Sequence, residues 1–332
     1  MRPAPRAAPP GWQVWTALGI VYVVWGSTYL AIRYVVGSLP PMFSACTRFA
    51  LAGLVLATFL AVRHRPGAWR ATRRQWLNAG LIGVMLLCGG NGGVTLAEDR
   101  GLPSGLTALL VAAVPLWVVL LRLLDGDRPA RRTLIGVGIG FVGLAVLLGP
   151  GARPSAVSAG AAALVLGSSL LWAAGSYLAT RLELPAEPLL ATVAQMAGGA
   201  IGFALIGSIR HETLDPAHVQ TSSLVALAYL VVFGSVVAFT AYSWLLGVAP
   251  VSKVATYAYV NPVVAVLLGS LFVGETVTGT ALFGGALTLL AVAVVVSEEG
   301  RRRGDLPLEV PADAPVAQTP DDVQGRERSS RT

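Results

Sequence analysis

Trp25-Gly-Ser-Thr-Tyr-Leu-Ala-Ile-Arg33 returns later in the chain as Trp172-Ala-Ala-Gly-Ser-Tyr-Leu-Ala-Thr-Arg181. The two tryptophans stand 147 residues apart and the two arginines 148. Pro103 and Pro115 are matched at the same offset of 147 by Pro250 and Pro262. A nearly constant offset held over such a length marks an internal duplication. Around these anchors the chain is apolar in long runs. A hydrocarbon core of ~30 Å is crossed by about 20 apolar helical residues. Ten such segments can be drawn, at 12–33, 41–62, 76–97, 103–124, 133–149, 158–180, 188–209, 221–246, 251–273 and 277–297. Five per copy is an odd number, so the second copy must enter the bilayer from the opposite face. The expected fold is therefore all-α and polytopic, with ten transmembrane helices in two inverted five-helix repeats. Such repeats are common among secondary transporters, whose sites lie near the midplane between the halves.

Composition agrees with this. Hydrophobic residues make up 55% of the 332, charged residues 12%, and the mean hydropathy is +0.68. A soluble domain uses about a quarter charged residues, so secreted, cytosolic and disordered classes are excluded. Cys46 and Cys88 lie in apolar runs and build neither a disulfide framework nor a zinc site. The division of the chain is a cytoplasmic segment 1–11, repeat one at 12–150, repeat two at 151–297, and a disordered cytoplasmic tail at 298–332. The first helix reads as uncleaved, because its apolar run exceeds a signal-peptide core and no small-x-small site follows. The tail holds eight acids and six arginines, leaving the rest of the chain a net +9. Those bases are scattered through short loops and do not form a nucleic-acid-binding stripe.

Arginine and lysine also set the orientation. With the N-terminus inside, the inner segments hold fifteen of them, among them Arg63, Arg70, Arg73, Arg74, Arg128, Arg131, Arg132, Arg181 and Lys253. The outer loops hold Arg100, Arg153 and Arg210, with Arg33 at a helix end. Both termini are expected in the cytoplasm. A multi-pass protein of the bacterial inner membrane is the expected setting.

Several segments together resemble the EamA branch of the drug/metabolite transporter superfamily, and within it the YedA-type inner-membrane permeases. They are Trp25 to Arg33, Leu39-Pro-Pro41, Arg48-Phe49, Asn91-Gly-Gly-Val-Thr-Leu-Ala-Glu98 and Pro103-Ser-Gly105 in the first half. The second half supplies Ser176-Tyr177, Ala255-Thr-Tyr-Ala-Tyr-Val-Asn-Pro-Val-Val-Ala-Val-Leu-Leu-Gly269 and Gly274-Glu275-Thr276. The likeness covers residues 12 to 297. It implies ten helices around a central cavity, and export of small organic metabolites or drugs as the usual activity. It does not name a solute.

Polar side chains within the spans mark a cavity face, since intramembrane polar groups usually look into a bundle. Helix 1 offers Trp25, Tyr29 and Arg33, helix 3 Asn91, Thr95 and Glu98, and helix 9 Lys253, Tyr257 and Asn261, each set on one stripe. With Trp172 and Tyr177 from the second repeat, the candidate solute-binding residues are Trp25, Tyr29, Asn91, Thr95, Trp172, Tyr177, Tyr257 and Asn261. The alternative for each is interhelical hydrogen bonding, or snorkelling for Arg33 and Lys253. Pro115 and Pro262 are candidate helix breaks or hinges, each robbing the carbonyl four residues earlier (Val111, Ala258) of its partner; a plain structural kink is the other reading. Arg48, deep in helix 2, is expected to pair with Glu98 as an outer gate or an anchor. Glu275 sits in a turn, where capping is the default. Protons are the coupling ion such carboxylates would allow.

No phosphate-cradling Gly-Lys-Ser/Thr loop is present, and no histidine falls within a span. The chain is not expected to be an enzyme, and no cofactor, metal or nucleic acid is expected as a partner; the bilayer and a small solute are. Importer, passive channel and non-transporting membrane protein remain the rival classes.

Overall fold

The computed structural model describes residues 10–63, 69–149, 151, 159–249, 254 and 256–304. Every regular element among them is helical. In chain order they are α1 (Gly11–Val35), α2 (Pro41–Val62), α3 (Arg73–Asp99), α4 (Ser104–Leu124), α5 (Arg131–Leu148), α6 (Ala159–Ala179), α7 (Pro188–Ile209), α8 (221–248), α9 (Tyr257–Val273) and α10 (Gly279–Gly304). Nine of these described helices are long and apolar enough to cross a membrane, and α9 is a shorter apolar tenth. Their outward faces carry large apolar side chains such as Leu54, Ile201, Leu205, Leu271 and Phe283, the surface a lipid-facing helix needs.

The starts of α2 and α4 show how sequence fixes the ends. Pro41 occupies the first turn of α2 and Pro103 precedes Ser104 of α4, positions where a missing N–H costs nothing. Neither has a capping side chain of its own. The partners come from the other repeat. Glu212, before α8, accepts from Met42 N (2.8 Å) and Phe43 N (3.2 Å). Glu275, after α9, accepts from Ser104 N (2.8 Å), Ser104 Oγ (2.9 Å) and Gly105 N (3.2 Å). Carboxylates at helix N-termini are favoured by the orphan N–H groups and the helix dipole.

These contacts define two ends of the bundle. The loops after α1, α3, α7 and α9 meet at one end, called here the α1-exit end. At the other, Asn78 Nδ2 at the start of α3 donates to Glu183 O after α6 (3.0 Å), and Asp125 after α4 receives Tyr177 OH (2.9 Å) and an ion pair from Arg181. The exit of α1 and the exit of its counterpart α6 thus lie at opposite ends, as inverted repeats require. Equivalent helices pair across the molecule: α2 with α7, and α4 with α9. α5 meets its equivalent α10, where the Gly143 position abuts Gly284 O and Thr288.

Three features depart from the sequence reading. α4 breaks at Ala112–Ala113 just before Pro115, but α9 runs on through Pro262 without interruption. The two prolines share a register and not an effect. α3 and α8 each contain a π-helical stretch, Val84–Asn91 and Leu230–Val237, at equivalent places 146 residues apart. The last helix extends past 298, where a tail was expected, to Gly304; Arg132 reaches Glu298 there (3.4 Å). Lys253, Pro250, the segment 1–9 and residues 305–332 lie outside the described residues.

Candidate functional site

A cavity opens between helices of both repeats, enclosing roughly 840 Å³ of space unfilled by atoms with its mouth included. Its wall is laid down by the helix period. From α1, Trp25, Thr28, Tyr29 and Ile32 share one face at i, i+3, i+4 and i+7. Tyr257, Ala258, Asn261 and Pro262, at i, i+1, i+4 and i+5, share one face of α9. The π stretch of α3 supplies Gly90 and Asn91, α6 supplies Ser168, Ser169 and Trp172, and α2 supplies Arg48. π-turns of this kind are frequent at functional sites.

Aromatic rings form one wall. Trp25 lies 5.2 Å from Tyr257, 5.0 Å from Tyr242 and 5.4 Å from Phe239, ring centre to ring centre. Its Nε1 donates to Gly234 O (3.2 Å), a carbonyl of the π stretch in α8. Each repeat's π stretch therefore serves the same space, one by its side chains and one by fixing a ring. Asn261 is held by α1 and its own helix: with its amide oriented to satisfy both, Nδ2 donates to Tyr22 O and Tyr257 O (3.2 Å each).

Among the described residues, Arg48 is the one charged residue of the lining. It is 5% exposed, its Nε donates to Ser235 Oγ (2.9 Å), and its guanidinium lies 4.7 Å from the centre of the Phe49 ring. The expected ion pair with Glu98 is not formed. Ser235, on the π stretch of α8, takes the arginine instead, and no donor among the described residues reaches either oxygen of Glu98. Arg33 approaches Glu98 from α1 but gives Nη1 to its main-chain oxygen (2.8 Å).

Of the remaining sequence candidates, Trp25, Tyr29, Asn91, Trp172, Tyr257 and Asn261 are brought to the cavity. Thr95 is not: its hydroxyl turns back to Asn91 O (2.9 Å) within the helix and it is buried. Tyr177 is not either. It lies near the end of α6, beneath Arg181 and bonded to Asp125. Pro262 lines the cavity, whereas Pro115 lies beside it, with Val111 and Val114 on the wall. The sequence reading missed Ser168, Ser169 and Phe239. Small hydroxyls inside apolar helices are too common to single out, though Ser169 proves anchored, accepting Trp117 Nε1 (2.8 Å) and donating to Leu166 O (2.8 Å).

Comparison with known proteins agrees with this architecture. The model of the EamA-like transporter family matches twice, over residues 13–149 and 159–297. The inner membrane transporter YedA of Escherichia coli (strain K12) is 38% identical over 285 residues, covering 86% of this chain and 90% of its own. A Salmonella typhimurium (strain LT2) protein named "Probable amino-acid metabolite efflux pump" is 23% identical over 83% of this chain and 92% of its own. One solved crystal structure superposes with a TM-score of 0.57 at 20% identity, over 88% of this chain and 98% of its own; at that identity the likeness concerns the fold.

Proposed function

The chain belongs to the EamA-like transporter family, and from that premise we propose that it exports small organic solutes bearing a carboxylate on an apolar or aromatic body. It acts as a carrier, rocking one repeat against the other around the cavity. The observation behind the choice of solute is Arg48. Among the described residues a guanidinium is the single formal charge on the lining and no carboxylate accompanies it there, and aromatic rings share the wall. Arginine binds carboxylates through two parallel N–H bonds, and Nε is already given to Ser235, which leaves the terminal nitrogens for the solute. Asn91 and Asn261 supply further polar contacts, and the rings of Trp25, Trp172 and Tyr257 the apolar ones. The name of the Salmonella relative, an amino-acid metabolite pump, points to the same chemistry.

Proteoliposome exchange tests this. Purified protein is challenged with aromatic and aliphatic amino acids, aromatic carboxylates, nucleosides and organic cations, with vesicles of both orientations assayed. Counterflow of carboxylate-bearing solutes, and none of cations, is expected. Cation movement without carboxylate movement would overturn the choice of solute, and currents far above carrier turnover would replace the carrier with a channel.

A further inference from the structure

Glu98 stands apart from every other described acid. Its side chain is fully buried near the α1-exit end of α3, and neither oxygen accepts a hydrogen bond among the described residues. A bare carboxylate in such a place costs many times more than its protonated form. The surroundings have been filled without serving it. Arg33, the cation that acts on Glu98, spends Nη1 on the Glu98 main-chain carbonyl at 2.8 Å. Glu275, from the α9–α10 turn, is satisfied at the start of α4. Arg48 on α2 is committed to Ser235. The charged and titratable groups that Glu98 feels are Arg33 and Tyr29 of α1 and Glu275. Its neighbour Asp99 instead faces Arg210 and Glu212 of the α7–α8 loop. Tyr29 also lines the cavity, so the ring that interacts with the acid also faces the space that solute enters.

We propose that Glu98 is a proton-binding site: its carboxyl is protonated in the state seen here and releases the proton to ionise against Arg33 when the repeats rearrange. The exchange requires only that Arg33 leave the main-chain carbonyl for the side chain of the same residue. Binding takes one proton from solvent at one face, and release delivers it to solvent at the opposite face once the guanidinium becomes the carboxylate's partner. This deepens the transport reading above and rests on it, since coupling means that the rearrangement moving solute also changes the Glu98 partner.

Two measurements separate the acid from the transport reading. Infrared titration of the purified wild-type protein should show a protonated-carboxyl band persisting at neutral pH, shifted by deuteration and absent in Glu98→Gln. No such band in the wild type overturns the proposal without any variant. In proteoliposomes loaded with a pH-sensitive dye, L-phenylalanine is the probe. Wild type should change the lumenal pH as phenylalanine moves, and an imposed pH gradient should drive uptake. Glu98→Gln, a mimic of the protonated side chain, should keep phenylalanine counterflow and lose both pH effects. If Glu98→Gln keeps gradient-driven uptake, the proposal fails while transport stands. If neither protein moves phenylalanine, that solute fails and the infrared band decides Glu98 by itself.

Discussion

Arg48 carries opposite consequences for binding and for stability. A buried guanidinium with a serine and a ring as its protein partners is not an asset to the fold, and an apolar residue of similar volume is often neutral or better there. Arg48→Met should therefore leave the melting temperature unchanged or raise it. Affinity for carboxylate solutes should fall about 10- to 100-fold, the range of a hydrogen bond to a charged group, with neutral solutes little affected. Binding calorimetry alongside thermal unfolding in detergent reads both, and a large stability loss would mean that Arg48 is an anchor. Asp125 gives a pH prediction at the same scale. The Tyr177 hydroxyl, followed by Arg181, holds its carboxyl below the usual carboxylate range. A depressed pKa contributes stability that is complete above the unfolded value, about 3.9, and is lost as pH falls through the folded one. The melting difference between wild type and Asp125→Asn should thus be flat from neutral pH down to about 5 and shrink only below about 4. A difference that already closes at mildly acidic pH would contradict the contact.

Between helices, glycines decide how close α3 and α7 come. A Cβ on Gly83 would stand 1.9 Å from Gln195 O, and one on Gly198 2.3 Å from Gly80 O, both main-chain atoms that cannot swing aside. A Cβ on Gly80 itself would meet nothing within 4 Å. Gly83→Ala should cost about 1–3 kcal/mol through overpacking. Gly80→Ala, one turn away on the same helix, should be neutral or stabilising by up to about 1 kcal/mol. Thermal unfolding of this pair tests the packing, and equal losses would refute it. Gly198 and Gly202 form a small-xxx-small pair, a spacing that does not tell which face meets α3. Helix positions were legible because twenty-residue apolar runs have few alternatives in a bilayer. The π stretches were not, because one extra residue per turn leaves the hydropathy run unchanged; Gly89-Gly-Asn-Gly-Gly93 overlaps the first, while Leu230–Val237 has no comparable run. Six of the eight candidate solute contacts line the cavity, five of them read from stripe spacing and Trp172 from the repeat. Thr95 and Tyr177 do not, because neither a stripe nor a repeat match can tell a side chain aimed at space from one bonded to its own turn or to a loop. The pairing of Arg48 failed for a related reason: depth along α2 and α3 matches it to Glu98, but the serine that takes the guanidinium lies on α8, 187 residues away.

At the scale of the molecule, orientation joins these parts. The arginine count gives the expectation that the ends holding Arg63, Arg128 and Arg181 are cytoplasmic, with the loops after α1, α3, α7 and α9 outside. Glu98, Glu212 and Glu275 then belong to the outer half. An exporter driven by inward proton movement needs its proton-loading group within reach of the outer face, and Glu98 satisfies that sign only in this orientation. A pair of topology reporters decides the matter. Placed in the α7–α8 loop at Thr213–Leu214, alkaline phosphatase should be active and a fluorescent protein dark; after Leu182 in the α6–α7 loop the pattern should reverse. Reversal between two loops separated by the single helix α7 also checks that α7 crosses the membrane. If the α7–α8 loop proves cytoplasmic, Glu98 lies near the inner face and loading of its proton from the outer face is lost, which would overturn proton-driven export.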